Sequence, residues 1–202
     1  MSMEFLLQLR DKEETNMLLN QEIWDQFLKD IEHRDILKDE DKWDLFKLRR
    51  LFYDKYYDEA PDIITILLEN GNLLDDQTEI PNSFFSHCKN LTNVELPSNL
   101  KVIHNFVFCQ CHNLKDIDIP KTVTIIGEYA FYNCESLENI VIPETTFKIG
   151  EKAFQGCDNL IIYCESKYKL SQWDFDWNPD GRPVYYAGEW KYINGVPTPI
   201  KR

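Results

Sequence analysis

Phe84-Phe85-Ser86-His87-Cys88-Lys89-Asn90-Leu91 is answered further on by Val107-Phe108-Cys109-Gln110-Cys111-His112-Asn113-Leu114. Two more versions follow, Ala130-Phe131-Tyr132-Asn133-Cys134-Glu135-Ser136-Leu137 and Ala153-Phe154-Gln155-Gly156-Cys157-Asp158-Asn159-Leu160. Phenylalanine stands at 85, 108, 131 and 154, cysteine at 88, 111, 134 and 157, and leucine at 91, 114, 137 and 160, always 23 residues apart. Isoleucine at 80, 103, 126 and 149 keeps the step, as does the proline of Leu96-Pro97, Ile119-Pro120 and Ile142-Pro143. A fixed step of this size defines a solenoid, whose units bury their apolar faces only against one another.

Within a unit, Leu91, Val94 and Leu96 return as Leu114, Ile117 and Ile119, then as Leu137, Ile140 and Ile142. The intervening positions are mostly polar: Asn93 and Glu95, Asp116 and Asp118, Asn139 and Val141. This alternation predicts a half-buried strand that the following proline ends. A second apolar run, Leu100 to Ile103, Val123 to Ile126 and Thr146 to Ile149, predicts another strand. Gly127 and Gly150 are expected to supply a turn, with the Ala-Phe-x-x-Cys segment packed behind. Two parallel strand ladders over columns of Phe, Cys and Leu are the expected result.

The pattern Ile126-Gly127-x-x-Ala130-Phe131-x-x-Cys134-x-x-Leu137-x-x-Ile140-x-Ile142-Pro143 resembles the BspA-like branch of the leucine-rich-repeat family. Ile161 to Glu165 and Trp177 to Tyr185 resemble the segment that closes such arrays. The resemblance, over about residues 78–187, implies a binding fold, because family members are surface adhesins or interaction proteins without a catalytic motif. The fold class expected is thus α+β: a helical N-terminal domain followed by a short BspA-like leucine-rich-repeat solenoid with parallel strand ladders. The expected boundaries are 1–76 for an acidic helical capping domain, 77–187 for about four repeats plus the closing segment, and 188–202 for a tail.

The N-terminal part reads as helical. Met17, Ile23, Trp24, Phe27, Leu28 and Ile31 are spaced for one apolar helix face within Glu13–Ile31. Trp43, Leu45, Phe46, Leu48, Leu51 and Phe52 do the same within Asp39–Tyr57, where Asp39, Glu40 and Asp41 would favour the N-terminus through the helix dipole. Pro61 fits the first turn of a further helix over Asp62–Glu69, with Gly71 as its stop, although Ile63-Ile64-Thr65-Ile66 also has strand propensity. Such a module would cover the raw apolar face of the first repeat.

Charge is concentrated in the same part. Residues 1–78 carry 20 acidic against 10 basic residues, the remainder 15 against 12, for a net charge of −13. Like charge opposes approach to nucleic acid and to anionic membrane, so neither is an expected partner. A basic protein surface is. The residues expected to meet it are Asp25, Asp35, Asp39, Glu40, Asp41 and Asp44 on the helical face, and Glu95, Asp116 and Asp118 on the strand face.

No apolar run approaches membrane-spanning length, and Met1 to Arg10 lacks a basic n-region and a small-residue cleavage site, so the expected location is cytoplasmic. Four of the six cysteines belong to the repeat and Cys164 to the closing segment, leaving Cys109 surplus; a disulfide framework is the weaker reading. His87 and Cys88 with Cys109, Cys111 and His112 carry zinc-type ligands. The repeat already accounts for Cys88 and Cys111, however, so no metal and no cofactor is expected.

There is no phosphate-cradling glycine loop, nucleophile elbow or His-Glu-x-x-His, and the exposed acids of a shallow array do not suggest a glycosidase cleft. An enzyme is therefore not expected. The expectation is a non-enzymatic intracellular protein–protein interaction module, in its sharper form an acidic inhibitor that occupies the basic surface of a nucleic-acid-handling complex. The alternative is a cell-surface adhesin or carbohydrate binder, for which Trp173, Phe175, Trp177, Tyr185, Tyr186 and Trp190 would offer aromatic faces. Those six are more simply expected to seal the array's last unit. The tail from Trp190 is expected either to form a small hairpin or to stay loose.

Overall fold

A computed structural model describes residues 3–11, 19–38, 42–70, 73–74 and 76–200. The chain falls into two compact units, residues 1–75 and 76–202.

The first unit is helical. Helices α1 (Met3–Arg10), α2 (Gln21–His33), α3 (Leu45–Lys55) and α4 (Ala60–Asn70) accompany a two-residue hairpin of β1 (Leu37–Lys38) and β2 (Lys42–Trp43). α2 begins later than the apolar spacing predicts, because Asn20 caps it by accepting hydrogen bonds from the amides of Glu22 and Ile23. α3 also starts late. Asp44 is its cap, accepting from the Lys47 amide, and Trp43 belongs to β2 rather than to the helix. Residues 39–41, expected at that helix N-terminus, and Met17 lie outside the described residues. Over residues 60–70 helix prevails over strand, with Pro61 in the first turn.

Trp24, Phe27, Ile31, Leu48 and Leu51 are buried, and Phe27 stacks on Phe52 and meets the edge of Tyr56. Asp30 of α2 accepts from Lys55 at 2.6 Å and from the Tyr56 hydroxyl at 2.7 Å, tying α2 to the end of α3. Phe46, expected in the apolar set, is instead 56% exposed.

The second unit is the solenoid. Its strands are β3 (Glu79–Ile80), β4 (Val102–Ile103), β5 (Ile125–Ile126), β6 (Asn139–Ile142), β7 (Lys148–Ile149), β8 (Ile161–Cys164), β9 (Val184–Tyr185) and the hairpin β10 (Trp190–Ile193) and β11 (Val196–Pro199). β3, β4, β5 and β7 form one parallel ladder in which Ile80, Ile103, Ile126 and Ile149 sit in register. β6, β8 and β9 form a second parallel ladder. The expected strands at 91–96 and 114–119 do not complete that second ladder. A single bridge, Asn93 to Asp116, marks their place, and among the described residues no backbone hydrogen bond joins 116–119 to 139–142.

A third set of hydrogen bonds runs along the Ala-Phe-x-x-Cys segments. The amides of Phe85, Phe108 and Phe131 donate to the carbonyls of Val107, Ala130 and Ala153 in the next unit. Two left-handed residues per unit make this possible. Ser83, Phe106, Tyr129 and Lys152 occupy one column, and His87, Gln110, Asn133 and Gly156 the other, with φ between 52° and 75°. They, rather than Gly127 and Gly150, supply the bends. The two glycines serve close approach instead: a Cβ would lie 2.5 Å from the His104 carbonyl carbon at Gly127, and 2.5 Å from the Glu128 amide nitrogen at Gly150.

The core columns are as expected. Phe85, Phe108, Phe131 and Phe154 are fully buried and stacked at centroid separations of 5.2, 5.2 and 5.5 Å. Trp177 stands one more step of 23 along and meets the edge of Phe154, so the closing segment completes a degenerate further rung. All six cysteines are free and buried.

Candidate functional site

The second-ladder face of the array carries a groove of about 540 Å³ between residues 93–98 and 116–120. Glu95, Asp116 and Asp118 stand exposed along it, while the alternating side chains Val94, Ile117 and Ile119 are buried toward the core and Leu96 and Pro120 are half-buried in the lining. A second cavity of about 340 Å³ continues from Asp116 and Asp118 to Glu138, Asn139 and Val141. Tyr192, Gly195, Val196 and Pro197 of the C-terminal hairpin wall it on the other side. It coincides with the place where the strand ladder is interrupted.

The hairpin has a local cause. Asn194-Gly195 adopts positive φ at both positions, 53° and 80°, as a two-residue turn twisted to match its flanking strands requires. Trp190 fixes the base by donating its indole N–H to the Cys164 carbonyl at 3.0 Å and packing against Tyr163. The tail is therefore a hairpin, and the Asn-Gly pair was its legible signal. Its role as a wall was not legible. The Tyr192 hydroxyl is held above its ordinary pKa by partial burial first, then by the negative charges of Glu165 and Asp118.

Among the described residues, the acids of this face have no basic side chain in ion-pair contact. Elsewhere in the unit, Glu79 pairs with His104, Glu135 with His112, Glu151 with Lys152, Asp158 with Arg182 and Glu165 with Lys121. Among the described residues no ion pair joins Glu95, Asp116, Asp118 or Glu138 to a basic side chain.

The acids expected on the helical face fare differently. Asp25 accepts from Arg10 at 2.9 Å, and Asp35 lies exposed 3.8 Å from Lys47. Asp44 is not the solvent-facing group expected: it is buried, because capping α3 draws its carboxylate onto the helix backbone. Asp39, Glu40 and Asp41 lie outside the described residues. Glu95, Asp116 and Asp118 are thus the members of the expected set that share a groove.

The zinc-type ligands disperse. Cys88 and Cys111 lie in the core, where the Cys111 thiol donates to the Phe85 carbonyl; His87 faces solvent and His112 pairs with Glu135 at 3.1 Å. Among the described residues there is no cluster of three or more His, Cys, Asp or Glu suited to a metal. Of the closing aromatics, Trp173 and Trp177 are buried against each other, with the Trp173 indole on the Thr146 carbonyl. Phe175 is exposed. The cluster seals more than it presents.

A family model described as BspA type leucine rich repeat region, in six copies, matches residues 67–175. The chain belongs to that family. Its class is therefore the leucine-rich-repeat solenoid. Among solved structures it is similar to a leucine-rich repeat protein from Bacteroides ovatus, with 28% identity, 46% of this chain and 26% of that one covered, and a TM-score of 0.40. It is also similar to a leucine rich cell surface protein from Faecalibacterium prausnitzii, with 37% identity, 47% and 25% coverage, and a TM-score of 0.41. The chain covers about a quarter of the length of each. No curated protein matches it.

Proposed function

We propose that this chain is a non-enzymatic protein-binding module that receives a basic, extended segment of a partner along the strand face of its array. One observation carries the reading: Glu95, Asp116, Asp118 and Glu138 line adjoining cavities, and among the described residues no ion pair joins them to a basic side chain. Carboxylates so placed attract cations through solvent, while Leu96 and Pro120, half-buried in the lining, offer apolar surface to the aliphatic stems of lysine and arginine. In its sharper form the partner is a cytoplasmic nucleic-acid-handling complex, and the module inhibits it by occupying a basic surface. The net charge of −13 supports that form, since it disfavours direct contact with the nucleic acid.

The test is titration of the full chain with an alternating Arg-Ser peptide at rising ionic strength. Affinity should fall steadily as the Debye length shrinks from about 10 Å toward about 3 Å, mainly through a slower on-rate. Glu95→Gln with Asp116→Asn and Asp118→Asn should weaken binding about tenfold or more while leaving the melting temperature nearly unchanged, because exposed charges contribute little stability. Absence of binding, or salt-independent binding equal for parent and triple variant, refutes the proposal.

A further inference from the structure

The second cavity, under the C-terminal hairpin, differs in kind from the open groove. Its walls are of two chemistries. Asp116, Asp118 and Glu138 present carboxylates, whereas Val141, Val196 and Pro197 present aliphatic surface and Tyr192 an aromatic ring. Its volume of about 340 Å³ is near the lower end of the range for ligand pockets, which suits one long side chain better than a whole small molecule. Because Asp116 and Asp118 line both cavities, a segment lying in the groove passes the mouth of this pocket.

We propose that the pocket is the anchor for a single arginine side chain of the bound segment, an inference that rests on the groove being a peptide site. Arginine matches both wall chemistries at once. Its planar guanidinium donates two parallel hydrogen bonds to a carboxylate and stacks on an aromatic face, and its stem is apolar. Lysine carries the same charge as a compact, strongly hydrated ammonium and gains less from a ring or a pair of carboxylates. The ladder break between 116–119 and 139–142 opens the face at this point, and the base of the hairpin is pinned by Trp190. Partial burial first, then the charges of Glu165 and Asp118, raise the pKa of the Tyr192 hydroxyl, which fits a ring lining an acidic pocket. Tyr192 is 56% exposed, leaving room for a guanidinium to reach it.

Three peptides of equal length, alternating Arg-Ser, Lys-Ser and citrulline-Ser, are titrated calorimetrically against the full chain and against its Tyr192→Ala and Tyr192→Phe variants. The parent should prefer the arginine peptide over the lysine peptide by at least about two- to fivefold, the range of an exposed cation–aromatic contact. The uncharged citrulline peptide should bind far more weakly than either. Tyr192→Ala should abolish the arginine preference yet keep salt-dependent binding of both cationic peptides, and Tyr192→Phe should retain the preference. An unchanged melting temperature of the alanine variant establishes that the fold is intact. Equal binding of arginine and lysine peptides to the parent overturns the anchor while leaving the groove standing, as does a preference that survives Tyr192→Ala. Failure of every peptide to bind overturns both.

Discussion

Cys111, Cys134 and Cys157 each donate a thiol hydrogen bond to the carbonyl of a phenylalanine one rung earlier, Phe85, Phe108 and Phe131, at 3.0, 3.1 and 3.0 Å. The recurrence of cysteine was legible in the sequence and its burial followed from the column. The hydrogen bond was not legible, because it spans 26 residues and depends on how the rungs stack. Cys109, the surplus cysteine, is also buried but retains 8% exposure, against 0–1% for Cys88, Cys111 and Cys134. Thiol labelling of the native protein should therefore modify Cys109 first, and all of them slowly; labelling of Cys111 or Cys134 as fast as Cys109 would contradict the packing. Burial also raises the thiol pKa, to about 12 at Cys164 and well above the ordinary value at Cys111 and Cys134. A raised folded-state pKa keeps the proton on the native thiol while the unfolded chain releases it. The contribution of Cys164 to stability is therefore complete below about pH 8.5 and is lost as pH rises toward about 12. Urea unfolding at stepped alkaline pH should show a shallower decline for Cys164→Ala than for the parent, and equal slopes would exclude this thiol as a source.

At the level of the element, the period of 23 residues revealed the rungs but not their hydrogen bonding. Alternating side chains at 93–96 and 116–119 do face in and out as expected, yet the chain pairs there only at Asn93 and Asp116. Inward-facing side chains follow from alternation, whereas pairing depends on the separation of neighbouring rungs, which no single rung encodes. The left-handed column of Ser83, Phe106, Tyr129 and Lys152 was likewise invisible, since its residue types share no turn preference. The phenylalanine column was fully visible. Phe131 lies between Phe108 and Phe154 with nearly parallel rings on both sides. Phe131→Ala should cost ~3–5 kcal/mol through lost burial and the cavity left behind. Because neighbouring rungs share hydrogen bonds and ring contacts, the loss should lower a single cooperative melting transition rather than split it. Calorimetry decides this, and an unchanged melting temperature would remove the column from the core.

Over the whole molecule, net acidity was plain from composition, but its useful location was not. The larger excess lies in residues 1–78, where Asp25 is paired and Asp44 is spent on a helix cap. The smaller excess in the array includes the carboxylates that line cavities. Glu95, Asp116 and Asp118 were legible as exposed alternates of a strand, whereas Tyr192 and Val196 join them only through the return of the chain, which no local pattern states. The uniform step has a further consequence, for inheritance rather than for binding. Excising residues 107–129 removes one step of 23 and joins Phe106 to Ala130, so every inward position keeps its neighbours. The shortened protein should still fold, with a lower melting temperature and without Asp116 and Asp118. Excision of one residue fewer should leave a protein without a cooperative melt, because each later side chain would arrive out of phase with the rungs before it. Circular dichroism of the two deletions compares them directly, and equal behaviour would refute the idea. Length in such a chain is a quantity that recombination can change in whole steps, so a binding surface can be lengthened, shortened or deleted while the fold that carries it persists.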